Sequence, residues 1–145
     1  MKRSLALALV AGLALAAVAE VTLAGEKGVV SPAAELKWMD SPGLKGARWA
    51  VLWGDPAKGP YGAIRSIPGG TMMGLHTHSS TQRAVVVSGT VEFTMEGEAK
   101  KTLGAGSYAF IPADARHDVT CKAGADCVYF EEGLGPADYK PVTKN

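Results

Sequence analysis

The chemistry-bearing residues of this chain are its three histidines: His76 and His78 lie two apart, and His117 follows far downstream. Successive side chains on a β-strand leave from opposite faces, so residues two apart share one. His76 and His78 can therefore offer imidazole nitrogens to a single ion, and His117, arriving from a distant strand, would complete a facial set. Three protein ligands with positions left open is what a metal needs if it is to take up water or substrate.

The elements that must position these rings are short. Runs of β-type residues at 35–39, 48–53, 61–67, 71–78, 82–88, 90–95, 99–103, 107–111, 117–121 and 127–131 alternate with turn residues, a spacing that predicts an all-β sandwich or barrel. With 18 glycines and 8 prolines, the chain is broken too often for long helical stripes. The segment Gln82–Met95 reads as a hairpin turning at Gly89, with Gln82, Ala84, Val86 and Ser88 on one face and Val91, Phe93 and Met95 returning along the same interior. Gln82 is thereby predicted to point inward. The tail from Gly133 onward is expected to wrap the surface or fray.

At 145 residues with a formal net charge of +1, the chain suits one domain and carries no single-sign field. Neither a nucleic-acid footprint nor a polybasic membrane patch is expected. Lys2 and Arg3 precede an uncharged run, Ser4–Ala19, that closes on small residues and is shorter than a spanning helix requires. Residues 1–19 read as a secretory signal peptide, with 24 as the alternative end. The working domain then occupies 25–145, is periplasmic or secreted, and contacts no membrane after cleavage. Cys121 and Cys127 fit a disulfide across a hairpin in an oxidising compartment, or equally two small buried thiols.

The segment Gly70-x5-His76-x-His78-x3-Gln82-x6-Gly89, followed by Gly106-x5-Pro112-x4-His117-x3-Cys121, resembles the two sequence motifs of the cupin superfamily. The likeness covers roughly Gly70 to Cys121. It implies a single-domain jelly-roll barrel with a metal held inside. Three positions depart from the family pattern: Gln82 stands where Glu is usual, Asp114 where Gly is usual, and Cys121 where Asn is usual. A neutral amide in place of a carboxylate leaves a divalent ion its full charge, which should favour anionic ligands and weaken retention. The expected metal ligands are His76, His78, His117 and Gln82, with Gln82 alternatively hydrogen-bonding beside the site. Flanking blocks, from Trp53-Gly54-Asp55-Pro56 to Cys127-Val128-Tyr129-Phe130-Glu131-Glu132, resemble small exported cupins of unknown function and the cupin domain of zinc-binding anti-sigma factors.

If Cys121 and Cys127 oppose each other across a hairpin, antiparallel register puts His117 opposite Glu131 and on the same face. Glu131 is thus the candidate catalytic residue, as general base or ligand-orienting group, unless a bulge turns it to solvent. Tyr61, Tyr108 and the three tryptophans read as core and rim packing. Met72 and Met73 hint at copper but suit packing better. Two functions are open. One is an enzyme in which one divalent ion, iron, manganese, nickel, zinc or copper, acts on a small oxygen-rich or carboxylate substrate by dioxygenase, isomerase, decarboxylase or lyase chemistry. The other is a non-catalytic metal or small-ligand binding or sensor protein. Homodimerisation is a habit of the family the motifs resemble.

Overall fold

The computed structural model describes residues 27–143, so the signal-peptide segment 1–19, with its alternative end at 24, lies outside the described residues. Residues 27–30 are irregular and exposed. No helix among the described residues is long and apolar enough to cross a membrane.

From Ser31 onward the chain is almost entirely β. One 3₁₀ turn, Ala33–Glu35, precedes eleven strands: β1 (Met39–Asp40), β2 (Arg48–Gly54), β3 (Tyr61–Ile67), β4 (His76–Thr77), β5 (Gln82–Ser88), β6 (Val91–Met95), β7 (Lys101–Leu103), β8 (Tyr108–Ile111), β9 (His117–Cys121), β10 (Cys127–Gly133) and β11 (Lys140–Pro141). They form two antiparallel sheets, ordered β1-β2-β3-β10-β5-β8 and β11-β4-β9-β6-β7. The motif resemblance implied a closed barrel, but among the described residues no ladder joins the edges of the two sheets.

Two expected hairpins are corners between sheets instead. β5 and β6 sit in different sheets, as do β9 and β10. A short Gly-containing link looks the same in sequence whether the following strand pairs back or crosses over. Here Gly89 has a φ of +81°, and a Cβ on it would lie 2.6 Å from the Asp126 carbonyl oxygen. Only glycine lets the chain turn that tightly against the second corner. That second corner is closed by a Cys121–Cys127 disulfide, which staples β9 to β10 across the two sheets. Cys121 in place of the motif's Asn is thus half of a covalent link.

Alternating side chains fill the space between the sheets. Ala47, Ile67, Val86, Val91, Cys121 and Cys127 form the core at the disulfide end, with Leu44, Leu103, Val119 and Tyr129 packed on it. Trp49, Tyr61 and Ala63 form a second cluster. His117 begins β9 and Cys121 ends it, so roughly 13 Å of strand separates the histidine end from the staple. The expected inward face of β5 holds for Gln82, Ala84 and Val86, which line the interior. Ser88 is exposed, because a bulge opposite Val128/Tyr129 shifts the register there. The run 35–39 is the 3₁₀ turn and a short edge strand, and of 71–78 only His76–Thr77 is a strand, with a single bridge from Met72 to Thr120.

Candidate metal centre

β4 and β9 pair with His76 directly opposite His117, and His78 follows on the same side of the chain. The three rings converge, with centroids 4.2 Å apart for His76 and His117, 5.0 Å for His76 and His78, and 5.2 Å for His78 and His117. Their ligating atoms lie within 4.8 Å of one another, and all three residues are buried. Phe93 on β6 stacks on His117 at 5.5 Å and limits its rotation.

Each ring is held through Nδ1. His76 Nδ1 donates to the Gly74 carbonyl at 2.7 Å, His117 Nδ1 to the Ala115 carbonyl at 2.9 Å, and His78 Nδ1 to the Asp138 carbonyl at 2.5 Å. A carbonyl can only accept, so each Nδ1 carries the proton and each Nε2 keeps its lone pair. This is the tautomer that a backbone carbonyl imposes on a metal-ligating histidine. His76 Nε2 is buried and has no hydrogen-bond partner. Leaving such an atom unsatisfied costs about 1–3 kcal/mol, which a coordinated cation would offset. Burial, reinforced by the neighbouring His117 and His78, pushes His76 down to about 4, and burial likewise lowers His117. Both rings are therefore neutral donors near pH 7. Orphaned nitrogen, fixed tautomers and neutral donors together fit a divalent transition ion.

The rings open onto a cavity of about 530 Å³ between the sheets. Its walls are mainly aliphatic, with Ile67, Val86, Val91 and Val119 among them, and Gln82 faces it from β5. Gln82 is 3 % exposed and sits opposite Ile111 and Gly133. All four expected ligand residues line this cavity, with Gln82 on the sheet opposite the one that carries His76 and His117.

Asp114 explains the second departure from the motif. Its φ is +59°, a left-handed conformation that glycine favours and aspartate tolerates. Its backbone N–H donates to the His78 carbonyl at 2.8 Å, tying the β8–β9 loop to the ligand strand.

Glu131 also lines the cavity, though not by the route expected from the sequence. β10 pairs with β3 and β5, with Glu131 opposite Ala63 and Ala84, so it lines the cavity from the first sheet and His117 from the second. Its oxygens are occupied: Arg65 Nη2 and Nε donate at 2.9 and 3.1 Å, and the Tyr61 hydroxyl donates to Oε1. Burial alone would raise this carboxyl, but the charge and hydrogen bonds of Arg65 and the Tyr61 bond outweigh it, holding Glu131 below the ordinary value. Arg65 in turn reaches Ser41 Oγ at 3.0 Å and stacks over Trp49 at 4.5 Å. The sequence reading missed this arginine and treated Tyr61 as packing alone. An alternating β3 strand with a single inward Arg was the available signal.

Also missed were Asp138 and Tyr139, which bring the tail to the site. Tyr139 stands 4.6 Å from the His76 ring, and its hydroxyl donates to the Met73 carbonyl. Met73 lines the cavity, whereas Met72 is exposed. Tyr108, expected as packing, is exposed on the outer face of the first sheet.

The two facing antiparallel sheets have the fold of solved cupin structures. The chain belongs to the family described as a domain of unknown function, DUF4437, which matches residues 22–142. Among solved structures, it resembles the DMSP lyase DddQ from Ruegeria pomeroyi at 18% identity and a TM-score of 0.61, over 75% of this chain and 62% of that one. An RmlC-like cupin from Shewanella frigidimarina matches at 21% identity and a TM-score of 0.61, over 77% and 93%. A Rhodobacter sphaeroides complex of SigE with the anti-sigma ChrR matches at 23% identity and a TM-score of 0.54, over 70% and 51%. The chain spans less than two thirds of the length of the DMSP lyases it resembles. No curated protein matches it.

Proposed function

We propose that this protein binds one divalent metal through His76, His78 and His117, with Gln82 as a fourth ligand, and acts on a small oxygen-rich or carboxylate molecule in the cavity. The observation that carries this reading is the convergence of three buried imidazoles, each with Nδ1 engaged and Nε2 free, at the wall of a largely apolar space. Once bound, the ion supplies Lewis acidity undiminished by a ligand carboxylate, since Gln82 is neutral. The aliphatic walls exclude water and strengthen any charge interaction inside. Glu131 is a buried carboxylate on the wall, and Arg65 and Tyr61 hold it ionised. Those bonds lower its affinity for a proton, so its first role is to fix the polarity of that wall. Dioxygenase, isomerase, decarboxylase and lyase chemistry all suit such a site.

The committed state of Glu131 favours a second reading, a non-catalytic metal or ligand sensor. Loading the purified protein separately with iron, manganese, nickel, zinc and copper, then screening small carboxylates, diketones and uronates, separates the two. Turnover with any loaded form supports the enzyme; ligand binding without turnover across all forms supports the sensor. A periplasmic or secreted location after removal of residues 1–19 is supported by the disulfide, which suits an oxidising compartment. Pairing of two copies is supported by exposed Val85, Val87, Tyr108 and Phe110 on the outer face of the first sheet.

A further inference from the structure

His76 and His117 are each oriented locally, by the carbonyl two residues earlier in the chain. His78 differs: its Nδ1 proton goes to the Asp138 carbonyl, 60 residues away in the C-terminal tail. Nothing in its own strand does this work. The tail that supplies the carbonyl is itself tied to the segment carrying the histidines. Asp138 accepts from the Ser79 N–H at 2.8 Å and from Ser79 Oγ at 2.5 Å. The Tyr139 hydroxyl donates to Met73, and the Val142 N–H donates to the Leu75 carbonyl at 2.9 Å. β11 pairs Lys140 with Thr77 and Pro141 with His76. Ala137 closes the other end, its N–H donating to the Pro56 carbonyl at 2.7 Å in the β2–β3 loop.

We infer that Ala137–Val142 is the positioning element of the metal centre: docking of the tail fixes the tautomer and direction of His78, and a bound cation in turn holds the tail down. This inference rests on the metal-binding reading above. An undocked tail leaves His78 free to rotate and to take the other tautomer, so only two of the three imidazoles stay preset. Loss of such an outer contact typically weakens metal binding about 10–100-fold. Coupling is reciprocal, so the cation must shift the tail's docking equilibrium by the same factor.

The test uses Co²⁺ as probe, because its visible absorption reports ligand number and geometry. In the full chain, Asp138→Ala combined with Tyr139→Phe should weaken Co²⁺ binding about 10–100-fold and alter the spectrum. Asp138→Asn, which keeps an acceptor for Ser79, should recover much of the loss. Hydrogen exchange in the unmutated protein needs no variant: the Ala137 and Val142 amides should exchange about 10–100-fold more slowly with Co²⁺ bound than without. If the parent chain binds Co²⁺ but the double variant binds it within twofold, or those amides exchange at one rate in both states, the inference is overturned. If the parent chain binds no Co²⁺ at all, the metal reading fails first and the inference falls with it.

Discussion

Glu131→Gln isolates the polar wall of the cavity from the metal centre. The Glu131 side chain is 7 % exposed and that of its partner Arg65 14 %, so water screens the pair poorly. Glutamine keeps the shape and one acceptor oxygen, but it turns an N–H₂ group toward donors and leaves the guanidinium without a counter-charge. Breaking a buried pair from one side costs about 3–5 kcal/mol, a large share of the 5–15 kcal/mol that holds a typical domain together. With a urea slope of about 2 kcal/mol/M, the unfolding midpoint should fall by about 1.5–2.5 M. Trp49 is 9 % exposed and stacked on Arg65, which makes tryptophan fluorescence the natural probe. Replacing both partners, Arg65→Met with Glu131→Leu, removes the stranded charge and should recover part of the loss, since the buried Tyr61 hydroxyl then lacks its acceptor. The effect has a pH signature. Glu131 is depressed below 4.5 in the folded state, so its contribution is present above that value and is lost as pH falls through the folded one. The gap between variant and parent should therefore narrow in acid. A single variant within about 1 kcal/mol of the parent at pH 7, with the double variant less stable than either, would refute this account of the wall.

Replacing Cys121 and Cys127 by alanine opens a link with a sequence separation of 6; the chain-entropy relation gives a loss of about 2 kcal/mol, measurable by denaturant unfolding under oxidising conditions. Metal affinity should change little, because the staple sits at the far end of β9. The metal-free protein should lose stability as pH falls from 6.5 toward about 4, since the unfolded chain protonates His76 before the folded one can; a flat stability profile over that window would contradict the burial assigned to this ring. Gln82→Glu should tighten divalent-metal binding at least tenfold while making the metal-free protein less stable, because an unpaired carboxylate at a 3 % exposed site is costly to bury. Equal metal affinity for the two chains would place residue 82 outside the ligand set.

The β runs and the three histidines were legible because both depend on local periodicity. Nine of the expected runs, from Arg48–Trp53 through Cys127–Glu131, overlap strands of three residues or more or the His76–Thr77 pair. What local patterns do not carry is the partner of each strand. Gln82–Met95 and Cys121–Cys127 look like hairpins at short range, yet both are crossings between sheets whose corners pack closely where Gly89 meets Asp126 and Cys127. Glu131 lines the cavity, but from the sheet opposite His117, and the register that placed it beside His117 does not exist. Its pairing with Arg65 and Tyr61, which holds it ionised, depends on β3 lying beside β10, a pairing between strands some sixty residues apart. The tail was harder still: Asp138 and Tyr139 sit among Gly, Pro and Lys with no periodic pattern, and their role comes from where the chain end is tied.

The central claim, that His76, His78 and His117 grip one cation, is tested most directly by metal content. The purified full chain, stripped with chelator, reloaded with Co²⁺ and dialysed, should retain one ion per chain, and His76→Ala, His78→Ala and His117→Ala should each lose it. Retention of no ion by the parent chain, or of one ion by all three variants, would contradict the account.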